Sequence, residues 1–462
     1  MSIRILRHHV QLPILVLMLL EAMFAIVALI VVATHAGTVA IVQALPHWST
    51  PPLFALAVLV ANGAMGLYNT RLREHLFGLA LRFLLVSVAL LAAIGIVLYS
   101  FPTSRLAIPD FATAIALTAG ASLVGRFLLG RFVSDGFLKT RVLVYGAGKQ
   151  AQSIANLKRR SDRMGFLVVG YLPASAETRC VPDSKVVDPG GDLLAYCEAH
   201  DVDEIVVAMD DRRQEFPLRE LLHCRINGID VLELVTFLER ETGAVRLDVL
   251  NPSWIIFSPG FKRSWARDLV GRLLDITASI ALLAVAWPFM LLSALAIKLE
   301  DGIAAPVLYR QHRVGNDGKL FKVYKFRSMT VDAEADGVAR WASEEDLRVT
   351  RVGAFLRRSR FDELPQLLNV LRGDMRFVGP RPERPEFVSH FVETLPYYGE
   401  RHSVPPGLTG WAQLCYPYGS SEQDAIEKLK YDLYYIKNRS FLFDLAILIQ
   451  TVEVIIFGKG AR

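Results

Sequence analysis

The stretch RFDELPQLLNVLRGDMRFVGPRPERP, residues 360–385, sets two adjacent carboxylates among several arginines. Pro365 is typical of the first turn of a helix and Gly373 of the position just after one, which predicts a helix over about Glu363–Arg372. Asp362 then lies at or near the N-cap, where Asp is favoured, and Glu363 suits the first turn. A helix N-terminus among guanidinium groups is also a ready site for a phosphate group. Structural capping and phosphate chemistry are therefore both open for this pair.

The residue types around the pair favour phosphoryl transfer. A carboxylate can attack phosphorus and form an acyl phosphate. Mg2+ binds one or two carboxylates together with phosphate oxygens, so Asp362 and Glu363 are suited to hold it against a diphosphate. Arg381 projects from a loop stiffened by two prolines, where it is placed to neutralise charge on a transferred group. Lys325, on a strand predicted over 321–326, adds positive charge upstream.

Long apolar runs near the N-terminus predict a membrane protein. They cover about residues 10–32, 51–68, 77–99 and 110–129, each near the roughly 20 residues that a helix needs to cross a bilayer. The first run is longer than the core of a signal peptide and no clear cleavage site follows it. Basic residues gather before the first run (Arg4, Arg7), between the second and third (Arg71, Arg73) and at the exit of the fourth (Arg126). The positive-inside rule thus places both ends of a four-helix transmembrane bundle, residues 1–135, in the cytoplasm.

The segment after the bundle predicts an α/β Rossmann-like middle domain, residues 140–250. RVLVYGAGKQAQSIANL, residues 141–157, has the order of strand, glycine turn and helix, and further strands and helices alternate after it. Gly146 and Gly148 form a possible nucleotide-binding turn. Ala151 replaces the third glycine of the fingerprint, and no acid ends the second strand. A docking or regulatory domain is therefore favoured over a nucleotide site, and both stay open.

A fifth apolar run, residues 273–297, has Pro288 near its middle, where proline kinks a helix. Basic residues flank this run on both sides, including Lys262 and Arg263 before it and Lys298 after it. We therefore predict a re-entrant membrane hairpin that breaks at Pro288 and returns to the cytoplasm, with an ordinary tilted span as the alternative. A last apolar run, residues 441–457, carries acidic residues and predicts either an interfacial helix or a core helix.

The remaining composition narrows the class of protein. The four cysteines are scattered without a CxxC motif, which argues against a zinc knuckle or a disulfide framework and suits a reducing compartment. The net charge of +5 on 462 residues is modest, and we expect no nucleic-acid partner. A non-catalytic membrane scaffold and a nicotinamide-dependent sugar-modifying enzyme are the alternatives to phosphoryl transfer. The intact Asp-Glu pair disfavours the first, and the incomplete glycine fingerprint disfavours the second.

From about Lys262 onward the chain resembles the bacterial sugar transferase family, the polyprenol-phosphate phosphoglycosyl transferases with a single re-entrant membrane helix. The matching stretches, in order, are APVLYRQHRVG, KVYKFRSM, RVGAFLRRSRFDELPQLLNVLRGDM, FVGPRPERPEF, PPGLTGWAQ and DLYYIKNRSFLFDL. The whole chain looks like the larger membrane-bound members, which have four helices and a Rossmann-like domain before the catalytic part. The resemblance implies a mostly α catalytic α/β domain over residues 262–462.

The resemblance also implies roles for individual residues. Asp362 matches the family's nucleophile and Glu363 its magnesium-binding partner. Arg357 matches an arginine that braces the site, and Arg381 one that holds substrate phosphate. Other residues of basic motifs near the site are Gln311, Arg313, Lys325 and Arg327. Two positions depart from the family: Trp287 stands where Ser often precedes the kinking proline, and Pro405 stands where a basic residue is common, so we expect Arg401 to supply that charge.

The implied activity is transfer of a hexose-1-phosphate from a UDP-sugar to undecaprenyl phosphate, with release of UMP and a phospho-aspartyl intermediate. It would make the first lipid-linked sugar of an exopolysaccharide, capsule or O-antigen. The implied cofactor is Mg2+, the partners are the UDP-sugar, undecaprenyl phosphate and membrane lipid, and a homodimer is expected. The implied location is the bacterial inner membrane with the soluble domains in the cytoplasm. The residues do not fix the sugar; glucose and galactose are favoured by the family alone.

Overall fold

The computed structural model describes residues 2–5, 8–35, 50–68, 76–100, 107–134, 139–157, 161–163, 165–174, 177–211, 216–250, 252–258, 260–261, 264–331, 333, 346, 348–416, 419 and 421–457. Arg7, Arg71, Arg73, Lys262 and Arg263, which entered the topology predictions, lie outside these residues. The chain forms two compact units, one of Met1–Ile5 and His9–Asn251 and one of Leu6–His8 and Pro252–Arg462. Each unit is described by itself.

The first unit begins with two short strands, β1 (Ser2–Ile5) and β2 (His8–Gln11), followed by four apolar helices. These are α1 (Leu12–His35), α2 (Thr50–Ala64), α3 (Leu76–Ser100) and α4 (Ile108–Ser134). Three of them are long and apolar enough to cross a membrane, so this is a membrane protein. The predicted run 51–68 is shorter than expected: α2 has 15 residues and gives way to a turn at 65–68. Gly66, with φ 71°, adopts the left-handed conformation that ends helices.

A buried carboxylate ties three of these helices together. Glu21 of α1 is fully buried and accepts hydrogen bonds from Asn62 Nδ2 of α2 (3.0 Å) and from Tyr68 Oη (2.6 Å). Arg126 Nη2 of α4 pairs with the same carboxylate at 2.7 Å. An ionisable group inside an apolar bundle needs such partners. Arg126, counted among the charges at the exit of the fourth helix, therefore points into the bundle.

The rest of the first unit is a parallel α/β domain. Its strands are β3 (Thr140–Tyr145), β4 (Phe166–Leu172), β5 (Glu204–Val207) and β6 (Asp230–Glu233), hydrogen-bonded in the order β4-β3-β5-β6. Its helices are α5 (Lys149–Ala155), α6 (Leu193–Ala199), α7 (Leu218–Ile226) and α8 (Leu234–Thr242). Alternate strand residues enter two apolar cores, Val142 with Phe237 on one face and Leu143 with Cys197 on the other. The predicted alternation of strands and helices is thus confirmed as an α/β domain.

The second unit surrounds a long apolar helix. After α9 (Pro252–Phe257), α10 runs without interruption from Trp265 to Asp301, well beyond the predicted 273–297. Pro288 lies inside it with helix on both sides, and the buried stripe holds Asp275, Ser279, Ser293 and Ile297. The helix is long and apolar enough to cross a membrane. Its re-entrant path stays a prediction.

The remainder of this unit is mostly helical. An antiparallel hairpin, β7 (Leu308–Val314) and β8 (Leu320–Phe326), precedes α11 (Arg351–Ser359) and α12 (Gln366–Arg372). Two three-residue strands, β9 (Arg376–Val378) and β10 (Gly407–Thr409), pair in parallel. The other helices are α13 (Pro385–Thr394), α14 (Trp411–Cys415), α15 (Glu422–Asn438) and α16 (Phe441–Ile456). Phe443 of α16 is buried against Tyr434 and Tyr435 of α15, so α16 has a core face.

Candidate active site

The two carboxylates lie in a tight turn between α11 and α12. Arg360 adopts the left-handed conformation (φ 62°) at the end of α11, and Phe361–Glu363 form one 3-10 turn. The predicted helix start at Glu363 is therefore wrong by three residues, because α12 begins at Gln366 with Pro365 at its N-cap. Asp362 caps no helix and is only 8% exposed. Its structural explanation as a capping residue is thereby removed.

Glu363 is held by two cations from distant parts of the chain. Its Oε1 accepts from Lys325 Nζ of β8 at 2.9 Å and from Arg381 Nη2 of the Pro-Arg-Pro loop (residues 380–382) at 2.7 Å. Burial alone would raise the pKa of Glu363, but the charges and hydrogen bonds of Arg381 and Lys325 bring it well below its usual range. The two cations thus favour the ionised form of Glu363 and hold it in place. Its Oε2 accepts no hydrogen bond from the described residues.

Asp362 is the contrasting member of the pair. Among the described residues nothing donates a hydrogen bond to its carboxylate, although it is buried. Burial and then the adjacent charge of Glu363 raise its pKa, against the opposing charges of Lys325, Arg357 and Arg381. A carboxylate whose charge is poorly solvated and uncommitted is more reactive as a nucleophile than one held by donors. The geometry therefore separates an anchored acid from a free one.

The backbone around the Pro-Arg-Pro loop lies close to the backbone of residues 405–409. Gly379 follows β9, and its amide donates to Thr409 O at 2.9 Å, while the Gly407 amide donates to Pro380 O at 2.9 Å. A Cβ on Gly379 would lie 2.4 Å from Pro405 O, which no side chain tolerates. The glycines of VGPRP and PPGLTG are therefore required for the two segments to approach each other.

Asn369 is a residue that the sequence analysis missed. It is fully buried on α12, and its Oδ1 accepts from Tyr324 N (3.1 Å) while its Nδ2 donates to Lys322 O (2.7 Å). It thus fastens β8, which carries Lys325, to the helix that follows the acid pair. The only signal available was a polar residue on the apolar face of QLLNVL, which by itself has no preferred interpretation.

Of the other predicted site residues, some act on the acid pair and others contact residues around it. Arg357 Nε donates to Ser328 Oγ at 2.9 Å, and its charge acts on Asp362. Arg327 is buried and pairs with Asp301 at the end of α10 (3.0 Å) instead of contacting the acid pair. Further predicted residues that contact the Pro-Arg-Pro loop or each other, away from the acids, are Gln311, Arg313 and Arg401.

Comparison with known proteins shows the family of this chain. Residues 266–458 match the family model described as "Bacterial sugar transferase". The UDP-glucose:undecaprenyl-phosphate glucose-1-phosphate transferase of Escherichia coli (strain K12) is 33% identical over 359 residues, which are 76% of this chain and 74% of that protein. The chain belongs to the bacterial sugar transferase family. The family resemblance of the motifs is thus confirmed, and this protein is a transferase.

Two further relatives of this sugar transferase differ in the sugar that their names give. The undecaprenyl-phosphate glucose phosphotransferase of Komagataeibacter xylinus is 30% identical over 384 residues, 79% of this chain and 69% of the relative. The UDP-N-acetylgalactosamine-undecaprenyl-phosphate N-acetylgalactosaminephosphotransferase of Aeromonas hydrophila is 40% identical over 247 residues. That match covers 53% of this chain and 56% of the relative, just over half of its length.

The acid pair of this sugar transferase fits a hard divalent cation. Among the described residues no group of three or more His, Cys, Asp and Glu side chains could hold a metal ion by itself. Mg2+ does not need such a group, because it takes one or two carboxylates and completes its shell with water and substrate phosphate. The oxygens of Asp362 and Glu363 Oε2 accept no hydrogen bond from the described residues, so they are the oxygens that would hold it.

The glycine turn of the transferase's middle domain is filled by its own acids. Asp210 Oδ2 and Oδ1 accept from the amides of Lys149 (2.9 Å) and Gln150 (2.7 Å). Glu177 Oε2 accepts from the amide of Ala147 at 2.8 Å. A Cβ on Gly148 would lie 2.2 Å from Asp210 Oδ2, so this glycine makes room for a carboxylate of the chain itself. Acids of the chain thus already accept from three amides around Gly146 and Gly148 that a nucleotide phosphate would use.

Proposed function

We propose that this sugar transferase moves a sugar-1-phosphate from a UDP-sugar to undecaprenyl phosphate through a phospho-aspartyl enzyme, and releases UMP. The observation that carries the proposal is the difference between the two acids. Glu363 is held by Lys325 and Arg381, whereas Asp362 is buried without a hydrogen-bond donor among the described residues. The relatives named for sugar-phosphate transfer to undecaprenyl phosphate support the choice of substrates.

In the first step an Asp362 carboxylate oxygen attacks the sugar-bearing phosphorus of the donor. An oxygen–phosphorus bond forms, the bridging oxygen–phosphorus bond breaks, and UMP leaves with the electron pair of that bond. Arg381 has 38% of its side chain exposed and Lys325 has 25%, so both keep donors for the phosphate oxygens while they hold Glu363. When bound, Mg2+ supplies further charge neutralisation at the diphosphate.

In the second step an oxygen of undecaprenyl phosphate attacks the same phosphorus. The bond between Asp362 and phosphorus breaks, and the carboxylate is restored as the lipid diphosphate sugar leaves. Both attacks take place at the same phosphorus, so both can use the anchored Glu363 and the cations around it. The lipid substrate requires that the acid pair lie at the level of the bilayer surface, which depends on the path of α10.

We further propose that α10 enters and leaves the membrane on one side. Before Pro288, Arg272 donates to Leu371 O at 2.6 Å, and after it the Glu300 carboxylate accepts from the amide of Val352 at 2.9 Å. The segments of α10 before and after Pro288 therefore both contact helices of the second unit, which we call the catalytic unit. A helix that crossed the bilayer would separate these contacts by roughly 30 Å of hydrocarbon. The re-entrant path keeps the catalytic unit in the cytoplasm at the inner membrane. The expected homodimer is a separate proposal.

The test is isotopic labelling of the protein in the absence of lipid acceptor. With a UDP-sugar carrying 32P in the sugar-bearing phosphate, the purified enzyme should retain label and release about one UMP per chain. Hydroxylamine, which cleaves acyl phosphates, should remove the label. Asp362→Asn should lose both labelling and transfer, with turnover lowered more than about 1,000-fold. Glu393→Gln, a change at an exposed acid of α13 away from the acid pair, is the control and should keep both.

Three outcomes would contradict the proposal. Turnover retained by Asp362→Asn would remove the nucleophile. UMP release that always requires the lipid acceptor would indicate direct transfer without a covalent intermediate. Absence of UMP release from every member of a panel of UDP-sugars, with undecaprenyl phosphate present, would favour the non-catalytic scaffold. The same panel identifies the sugar.

A further inference from the structure

Two arginines hold the backbone of the Pro-Arg-Pro loop at consecutive carbonyls. Arg401 Nη2 donates to the carbonyl of Arg381 at 3.0 Å, and Arg313 Nη1 donates to the carbonyl of Pro382 at 3.2 Å. Pro380 and Pro382 have no N–H group, so the loop has few amides with which to fix itself. Consecutive carbonyls held by guanidinium groups compensate for this lack. The loop is therefore positioned by side chains from outside it.

The guanidinium group of Arg401 donates to three acceptors of the protein. Only 6% of the residue is exposed. The nitrogen that donates to Arg381 O also donates to Asp432 Oδ2 at 2.9 Å, and Nη1 donates to Tyr398 Oη at 2.6 Å. The Tyr398 ring centroid lies 5.0 Å from the guanidinium carbon. Nη1 and Nη2 of this buried arginine therefore serve the protein, and the substrate-binding charge expected of Arg401 stays a prediction.

Arg313 also makes contacts with the protein besides the one to the loop. Its Nη2 donates to Gln311 Oε1 at 2.6 Å, and its Nη1 lies 3.6 Å from Glu383 Oε2. The amide of the next residue, Val314, donates to Glu383 O at 3.0 Å. Strand β7 is thus tied to the loop by both its backbone and a side chain. Gln311, predicted near the substrate, here orients Arg313.

We propose that Arg401, supported by Asp432, and Arg313 are positioning residues that aim Arg381 at Glu363 and at the phosphate to be transferred. Only the identity of that phosphate rests on the proposed function; the aim of Arg381 at Glu363, 2.7 Å away, does not. Displacement of a catalytic cation by about 1 Å can cost about 100-fold in rate. Arg401 and Arg313 thereby act on turnover without touching substrate.

A double-mutant cycle of Arg401→Lys and Arg381→Lys tests this role. Lysine keeps the charge opposite Asp432 but cannot serve three acceptors in a planar fork. Arg401→Lys alone should lower kcat about 10- to 100-fold with KM for the UDP-sugar changed less. In the Arg381→Lys protein, where the aimed group is already lost, the same change should cost less than about 2-fold. Losses that multiply, or wild-type kcat in Arg401→Lys, would overturn the proposal.

Hydrogen exchange provides a readout that does not depend on activity. Peptides that cover residues 376–388 should exchange faster in Arg401→Lys and in Arg313→Lys, while peptides of the β3–β6 sheet remain unchanged. Arg240→Lys is the matched control, because Arg240 is a partly buried arginine paired with Glu204 at 2.9 Å in the first unit. It should leave both kcat and the loop's exchange unaltered. Uniformly faster exchange would mean global destabilisation, and an unchanged loop would exclude positioning; both results overturn the proposal.

If Arg401→Lys does not fold, Arg313→Lys alone decides, since Arg313 reaches the neighbouring carbonyl and is less buried. If the wild type transfers no sugar-phosphate, but residues 376–388 still exchange faster in the variants, the result would count against the proposed function and in favour of the positioning role. A fully active wild type whose loop is unaffected by either variant would count against the positioning role and in favour of the proposed function. The two proposals therefore fail separately.

Discussion

At the level of residues, the site depends on two neighbouring acids with opposite environments. The sequence identified Asp362, Glu363, Lys325 and Arg381 because their chemistry is unusual for a helix start. It could not tell which acid is held and which is free, since that depends on side chains 18 and 38 residues away. The sequence analysis also assigned Arg401 to the substrate. It could not predict that Arg401 is buried, because this burial results from packing against α15, which no local pattern reveals.

Asp432 gives a residue-level prediction on pH. Burial raises its pKa to about 6, although Arg401 lowers it; the other charged groups near it are Glu383 and Lys428. The folded protein thus binds this proton more tightly than the unfolded chain does. The contribution of Asp432 to stability is greatest near pH 4, falls as the pH rises to about 6 and is then constant. The change corresponds to roughly 2–3 kcal/mol in the free energy of unfolding.

Thermal unfolding of the wild type and Asp432→Asn in detergent, from about pH 4 to pH 7, measures this effect. Other carboxyl groups titrate in both proteins and cancel in the difference. The wild type should lose stability relative to Asp432→Asn between about pH 4 and pH 6. A difference that is constant over this range, or that rises with pH, would contradict the predicted environment of Asp432.

At the level of elements, periodicity predicted which segments are helices and strands better than where they end. All four strands of the middle domain fall within residues 140–250, where strands and helices were predicted to alternate. The start of α12 and the length of α2 were wrong, because Arg360 and Gly66 adopt left-handed conformations that only the folded chain reveals. The glycine turn was a correct structural prediction, but the acids that fill it come from residues 177 and 210, beyond the reach of a local motif.

The filled turn predicts that the middle domain binds no dinucleotide. NADH titrated into the full-length protein in detergent should give no saturable change in its fluorescence, because Asp210 and Glu177 place negative charge at the turn and accept from its amides. NADH is the suitable probe, since it lacks the uridine that the catalytic unit would recognise. Saturable binding that Gly148→Asp abolishes would contradict this prediction and restore the nucleotide hypothesis.

At the level of the whole molecule, hydrophobic periodicity predicted the apolar N-terminal helices and an α/β domain, because a membrane helix and a strand each have their own period. The buried Glu21–Arg126 pair was not predicted, since its partners come from three apolar helices whose polar residues look isolated in the sequence. The path of α10 is the property on which the rest depends. Its basic flanks suggested a return to the cytoplasm, and contacts of the segments before and after Pro288 with one catalytic unit now support that return.

Topology is therefore the prediction that tests the whole arrangement. Alkaline phosphatase is active only outside the cytoplasm, and green fluorescent protein is fluorescent only inside it. Fusion of each reporter after Arg462 should give fluorescence without phosphatase activity if α10 returns at Pro288. Fusions within residues 36–49 and 101–106, the links on the opposite side of the predicted bundle, are the controls and should give the reverse pattern. Phosphatase activity after Arg462, with the controls behaving as expected, would mean that α10 crosses the bilayer. The catalytic unit would then face away from cytoplasmic UDP-sugars, and the contacts that Arg272 and Glu300 make with it could not both exist in the membrane.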